Sequence, residues 1–123
     1  GSKVVAANEL TFPYGDLKED KTFESGIRLE GVNSATQTFS VKLDGAYSKM
    51  SVTFHNPEAS EAKVAFEIRD KDTGIVLASE ALQPGTFLEL KDFDLNGATN
   101  IEFAATGKAG GGETVYFLEP VVK

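Results

Sequence analysis

Phe39-Ser40-Val41-Lys42-Leu43, Met50-Ser51-Val52-Thr53-Phe54 and Val64-Ala65-Phe66-Glu67-Ile68 decide the fold of this chain. Apolar residues stand two apart in each. Successive side chains of an extended backbone point to opposite faces, so each segment buries one face and wets the other. Asp44-Gly45 closes the first segment, Asn56-Pro57 the second and Asp70-Lys71-Asp72-Thr73-Gly74 the third, all residues that accept tight-turn dihedrals. Worked outward, the pattern predicts strands at roughly 37–43, 47–55, 62–69, 74–80, 86–92, 99–105 and 114–122, with no stretch of helical length or period between them. The expected fold is all-β: an antiparallel, jelly-roll-like β-sandwich of about eight or nine strands.

Before Gln37 the signal thins. Val4, Val5, Leu10 and Phe12 predict one or two short strands ending at the turn Pro13-Tyr14-Gly15-Asp16. Lys18 to Lys21 is a charged link too short for a helix, Gly26-Ile27-Arg28-Leu29 resumes the apolar pattern, and Gly31 to Ser34 reads as a turn. Gly107 to Gly112, with four glycines in six residues, is the segment expected to move most. The 123 residues suit one domain, expected over residues 3–123, with Gly1-Ser2 read as a remnant of tag removal.

Composition narrows the function classes. Nineteen acidic against 12 basic residues give a net charge of −7, which repels a phosphate backbone, so nucleic acid is not an expected partner. No apolar run approaches the 18 or so residues of a membrane helix, and membrane insertion is not expected. The chain has no cysteine and one histidine, His55, a set too poor for a zinc cage. A Ser-His-Asp triad has no Gly-x-Ser-x-Gly elbow to rest on, and Gly110-Gly111-Gly112 lacks the Lys-Ser/Thr step of a phosphate loop. His55 therefore reads as a strand-end residue beside Asn56-Pro57.

Acidic spacings invite a calcium reading that local structure explains better. Asp70-Lys71-Asp72-Thr73-Gly74 opens like a calcium loop, but the twelfth position is Ala81 where such a loop needs a bidentate Glu, so a hairpin turn is expected. Asp92, Asp94 and Asn96 alternate with Phe93 and Leu95, a strand running into an Asn-Gly turn. No cofactor is expected, while a structural calcium ion drawing on Asp16, Asp20 or Glu119 is compatible with the composition.

Sugars are usually held by flat rings flanked by polar groups. The chain has no tryptophan, and alternation assigns most of its nine phenylalanines to the core. Of the tyrosines, Tyr14 in its Pro-Tyr-Gly loop is expected to be the most exposed. Tyr47 packs at a strand start, and Tyr116, out of phase with Val115 and Phe117, faces outward.

Gly26-Ile27-Arg28-Leu29, Phe39 to Met50, Val64 to Asp70, Gly74 to Ser79 and Leu95 to Ile101, in that order, resemble the NPCBM/CBM51 family of bacterial carbohydrate-binding modules. The resemblance spans about residues 23–122. Where that family carries a histidine after the glycine-led strand and a tryptophan or acidic cluster near the closing strand, this chain has Ile27-Arg28-Leu29-Glu30 and Glu113 to Pro120. The resemblance implies a non-catalytic, monomeric accessory module of a secreted or cell-surface bacterial protein, binding glycan or a neighbouring domain. On the glycan reading, side-chain chemistry selects Tyr14, Arg28, Glu30, Glu113 and Tyr116 as the ligand residues: rings to stack, a guanidinium to donate, carboxylates to accept. The competing expectation is a spacer or adhesion unit that offers an edge strand, with segment 86–92 the candidate edge.

Overall fold

The computed structural model describes residues 3–123, so the reading of Gly1-Ser2 as a tag remnant lies outside the described residues. Among the described residues nine strands follow one another: β1 (Lys3–Tyr14), β2 (Glu19–Val32), β3 (Gln37–Lys42), β4 (Lys49–Asn56), β5 (Val64–Asp70), β6 (Val76–Leu82), β7 (Thr86–Asp94), β8 (Asn100–Thr106) and β9 (Glu113–Val122). They form a five-stranded sheet, β1-β2-β9-β4-β7, facing a four-stranded sheet, β3-β8-β5-β6. All pairs are antiparallel. Four pairs nest inside one another, β5 with β6, β4 with β7, β3 with β8 and β2 with β9, which is the winding of a jelly roll.

The core is the in-phase half of each strand. Phe54, Phe66, Phe103 and Phe117 are all but completely buried between the sheets. Phe54 and Phe66 stack with centroids 4.9 Å apart, and Phe117 meets Phe39, Phe54, Phe66 and Phe103 edge-on at 5.2–5.6 Å. Such tilted contacts set the positive ring edge against the negative face of its neighbour.

The Asp70–Gly74 turn is the hairpin that its sequence predicts, whereas the Asn96-Gly97 turn carries the chain from one sheet to the other. Between β5 and β6, Gly74 (φ 78°) donates its N–H to Asp70 O at 2.7 Å, and Asp70 Oδ1 takes the Asp72 N–H. Between β7 and β8, Asn96 (φ 52°) and Gly97 (φ 80°) form a two-residue turn closed by Ala98 N–H to Leu95 O, while Leu95 is buried. β7 is an edge strand, as the alternation over 86–92 anticipates.

The N-terminal region departs from expectation. In place of short strands and a charged link, β1 and β2 make one long hairpin paired from Lys3↔Glu30 to Tyr14↔Glu19, and β2 runs on through Gly31 to Val32. Val4 and Ala6 pair with Leu29 and Ile27 along the edge of the sandwich. Beyond Glu9, whose φ is 53°, the hairpin swings over the outer face of the five-stranded sheet. Gly26 makes room: a Cβ there would stand 3.0 Å from Leu10 Cδ1 and 3.0 Å from Leu118 Cδ2.

Candidate binding site

Strand register places Arg28, Tyr116, His55 and Phe87 side by side on β2, β9, β4 and β7. All four are out of phase with the core residues of their strands, so they share the outer face. The hairpin lies across this row. Phe12 packs edge-on against His55 (4.5 Å between centroids) and Tyr116 (4.9 Å), while Tyr14 and Phe23 pack on Phe87 at 4.8 and 6.0 Å. Phe12, Phe23 and Phe87 thus build a second apolar cluster, while the other six phenylalanines lie in or against the main core, where alternation assigns most of the nine.

His55 sits at the centre of that cluster, 3% exposed and stacked on Phe87 at 3.6 Å. Nδ1 lies 3.0 Å from Thr86 O, and since a carbonyl only accepts, Nδ1 carries the proton. Burial lowers the His55 pKa from 6.5 to about 4, against the smaller opposing pull of the Thr86 carbonyl and Glu58. The imidazole is a neutral packing group at pH 7. Tyr47, raised by its hydrogen bond to Asp44, and Asp92, lowered by Lys123, line neither of the clefts described next.

Beside the hairpin, where β2 and β9 meet the β4–β5 loop, a cleft of about 470 Å³ opens between Arg28, Glu30, Ser60, Glu113, Thr114 and Tyr116. Its walls are tied down. Arg28 Nε donates to Glu30 Oε2 at 2.7 Å, leaving both side chains about one-third exposed. Fully buried Asn56 donates from Nδ2 to Ala62 O and Leu82 O, which pins the ends of the β4–β5 loop. Glu113 is buried, and its Oε2 accepts the Glu61 N–H at 3.2 Å. Lys108 reaches Glu61 at 3.1 Å and Gly107 donates to Asn33 O, so the glycine-rich β8–β9 loop is held at two points.

Four of the five expected ligand residues therefore converge on this cleft. Tyr14 does not. It ends β1, half-buried rather than free in a loop, and lines a separate cleft of about 350 Å³ with Pro13, Asp16, Lys18, Thr86 and Phe87. Thr114 and Ser60 escaped the sequence reading, although Thr114 shares the outward phase of Tyr116. Among the described residues no three His, Asp or Glu side chains gather to hold a cation, and Glu119 Oε1 accepts the Glu24 N–H. No helix among them is long and apolar enough to cross a membrane.

No protein-family model and no curated protein matches the sequence. Solved structures do match in fold. The chain is similar to CBM27-1 of Caldicellulosiruptor saccharolyticus, solved with mannohexaose, at a TM-score of 0.60 and 12% identity over 97% of this chain and 81% of that one. It is also similar to the enzymatically active domain of bacteriophage CBA120 tailspike protein 4, at 0.51 and 15% identity over 99% of this chain. It spans only 18% of that tailspike chain. The chain has the β-sandwich fold found in carbohydrate-binding modules.

Proposed function

We propose that this domain is a non-catalytic carbohydrate-binding module of the NPCBM/CBM51 kind, carried by a secreted or cell-surface bacterial protein. Glycan binds in the cleft between Arg28, Glu30 and Tyr116. The observation that carries this reading is the cleft's preorganisation: polar groups fixed by Asn56, Glu113 and the Arg28–Glu30 pair around a space of about 470 Å³, within the usual range of small-ligand sites. Arg28 supplies forked donors, Glu30 and the Thr114 and Ser60 hydroxyls supply acceptors, and the Tyr116 ring offers a surface to sugar C–H groups. The net charge of −7 repels uronic and sialic acid polymers, so a neutral glycan is the expected ligand.

The test is thermal unfolding against millimolar mannan, galactan, xylan and mucin oligosaccharides. A neutral ligand at a hundred times its Kd adds about 2.7 kcal/mol of stability and raises Tm. Arg28→Ala is expected to weaken binding at least about tenfold, since hydrogen bonds from a charged donor contribute about 1.5–3 kcal/mol. A flat response across the panel refutes glycan binding. It would favour the spacer or protein-interaction reading, for which the β7 edge is the surface on offer.

A further inference from the structure

The two clefts flank one crest. Pro57 and Ala59 line the first. Glu58, between them in sequence, leans over Gly85, its Cγ 3.1 Å from where a Cβ would stand there, and pairs with Lys18 Nζ at 3.1 Å. Gly85 and Lys18 line the second cleft. The row beneath runs the same way, with Tyr116 in the first cleft, Phe87 in the second and His55 between them under Phe12. Two strand spacings, about 10 Å, separate the β9 and β7 positions.

We propose that the second cleft is a further glycan subsite, and that one linear neutral oligosaccharide occupies both clefts by crossing the Lys18–Glu58 crest; the inference rests on the glycan reading of the first cleft. The second cleft adds a pair of rings to the single ring of the first. Tyr14 and Phe87 set two rings at 66° with centroids 4.8 Å apart, and Lys21 Nζ lies 4.4 Å from the Tyr14 centroid, holding that ring in place. Around them stand Lys18, Asp16 and the Thr86 hydroxyl, whose proton goes to Gln83 O at 2.6 Å, leaving its oxygen to accept. The crest is easily displaced. Both of its side chains are more than half exposed, and exposed ion pairs contribute about 0–1 kcal/mol.

The experiment is an amide-resolved NMR titration with di- and hexasaccharides of mannose, galactose and xylose. The expected result is a hexasaccharide that shifts Arg28, Glu30 and Thr114 together with Tyr14, Lys18 and Thr86, while its disaccharide binds at least tenfold more weakly and shifts the first group alone. Tyr14→Ser is expected to reduce hexasaccharide affinity to the disaccharide level. Shifts confined to the first cleft, with equal affinity for both lengths, overturn the second subsite and leave the module reading standing. Shifts at the second cleft alone overturn the joined site, and shifts at neither overturn both readings.

Discussion

Acid should loosen the hairpin from the five-stranded sheet through His55. In the folded chain the imidazole holds its neutral form down to about pH 4, against 6.5 for a free side chain. The sign follows from the direction of that change. The unfolded chain takes up a proton near pH 6.5 and the folded chain refuses it, so the stability contributed by the neutral ring is complete above pH 6.5 and drains away as pH falls towards 4. At 1.36 kcal/mol per pH unit the loss is about 0.8 kcal/mol at pH 6, about 2 at pH 5 and about 3 at pH 4. The groups beside the ring alter this little: the Thr86 carbonyl and Glu58 favour the charged form, Lys18 opposes it, and desolvation dominates all three.

His55→Phe isolates the effect. The new ring keeps the face that stacks on Phe87 but cannot donate to Thr86 O, a loss of about 1 kcal/mol at pH 7. Urea unfolding of both proteins from pH 7 to pH 4 should show the variant less stable at neutrality, equal near pH 6 and more stable by about 2 kcal/mol at pH 4. Carboxylate titrations act alike in the two chains and cancel in the difference. Stability curves that run parallel across the whole range would refute the argument, because they would mean that the folded environment does not discriminate between the two forms of His55.

Phe117→Ala removes the ring that four other phenylalanines pack against, and should cost about 3–5 kcal/mol in chemical denaturation. Gly26→Val sets branched carbons against Leu10, Leu118 and the Phe117 carbonyl; a loss of about 1–3 kcal/mol is expected, with hydrogen exchange rising first at Leu10 to Tyr14. Gly97→Ala forces a side chain onto φ 80° and should cost about 1–2 kcal/mol, read from Tm.

From Gln37 onward the sandwich was legible because each strand buries one face, and burial imposes a period of two that survives in the residues. Three departures from that period carried more meaning than they showed. His55, Phe87 and Tyr116 are rings out of phase with their core neighbours on three strands that the register makes adjacent, which means an outer face that something must cover. What covers it could not be read. Leu10, Phe12 and Tyr14 continue the phase of Val4 and Ala6, and only the left-handed φ of Glu9 marks where the hairpin changes face. Arg28 and Tyr116 were each picked for their chemistry, yet their meeting depends on the pairing of β2 with β9 across most of the chain. Residue types name the groups a site needs; long-range register decides which of them share it.

The sealed face bears on how a module without tryptophan would recognise sugar. A flat platform needs rings that are both aligned and bare, and here the aligned rings of Tyr116, His55 and Phe87 are roofed by Phe12, Tyr14 and Phe23. On the proposed reading, contact falls to the clefts at the rim of that roof, and in the first of them Arg28 and Glu30 near the end of β2 meet Thr114 and Tyr116 at the start of β9 and the loop pinned by Asn56. Groups there act mainly by the direction of their hydrogen bonds, which discriminate between hydroxyl configurations better than ring stacking does. On the proposed reading, Arg28→Ala should therefore erase selectivity among neutral glycans. Tyr116→Leu, which keeps an apolar surface under Phe12, should lower affinity for all of them by a similar factor, and a reversed ranking of the two variants in calorimetric titrations would place the selective contact on the ring instead.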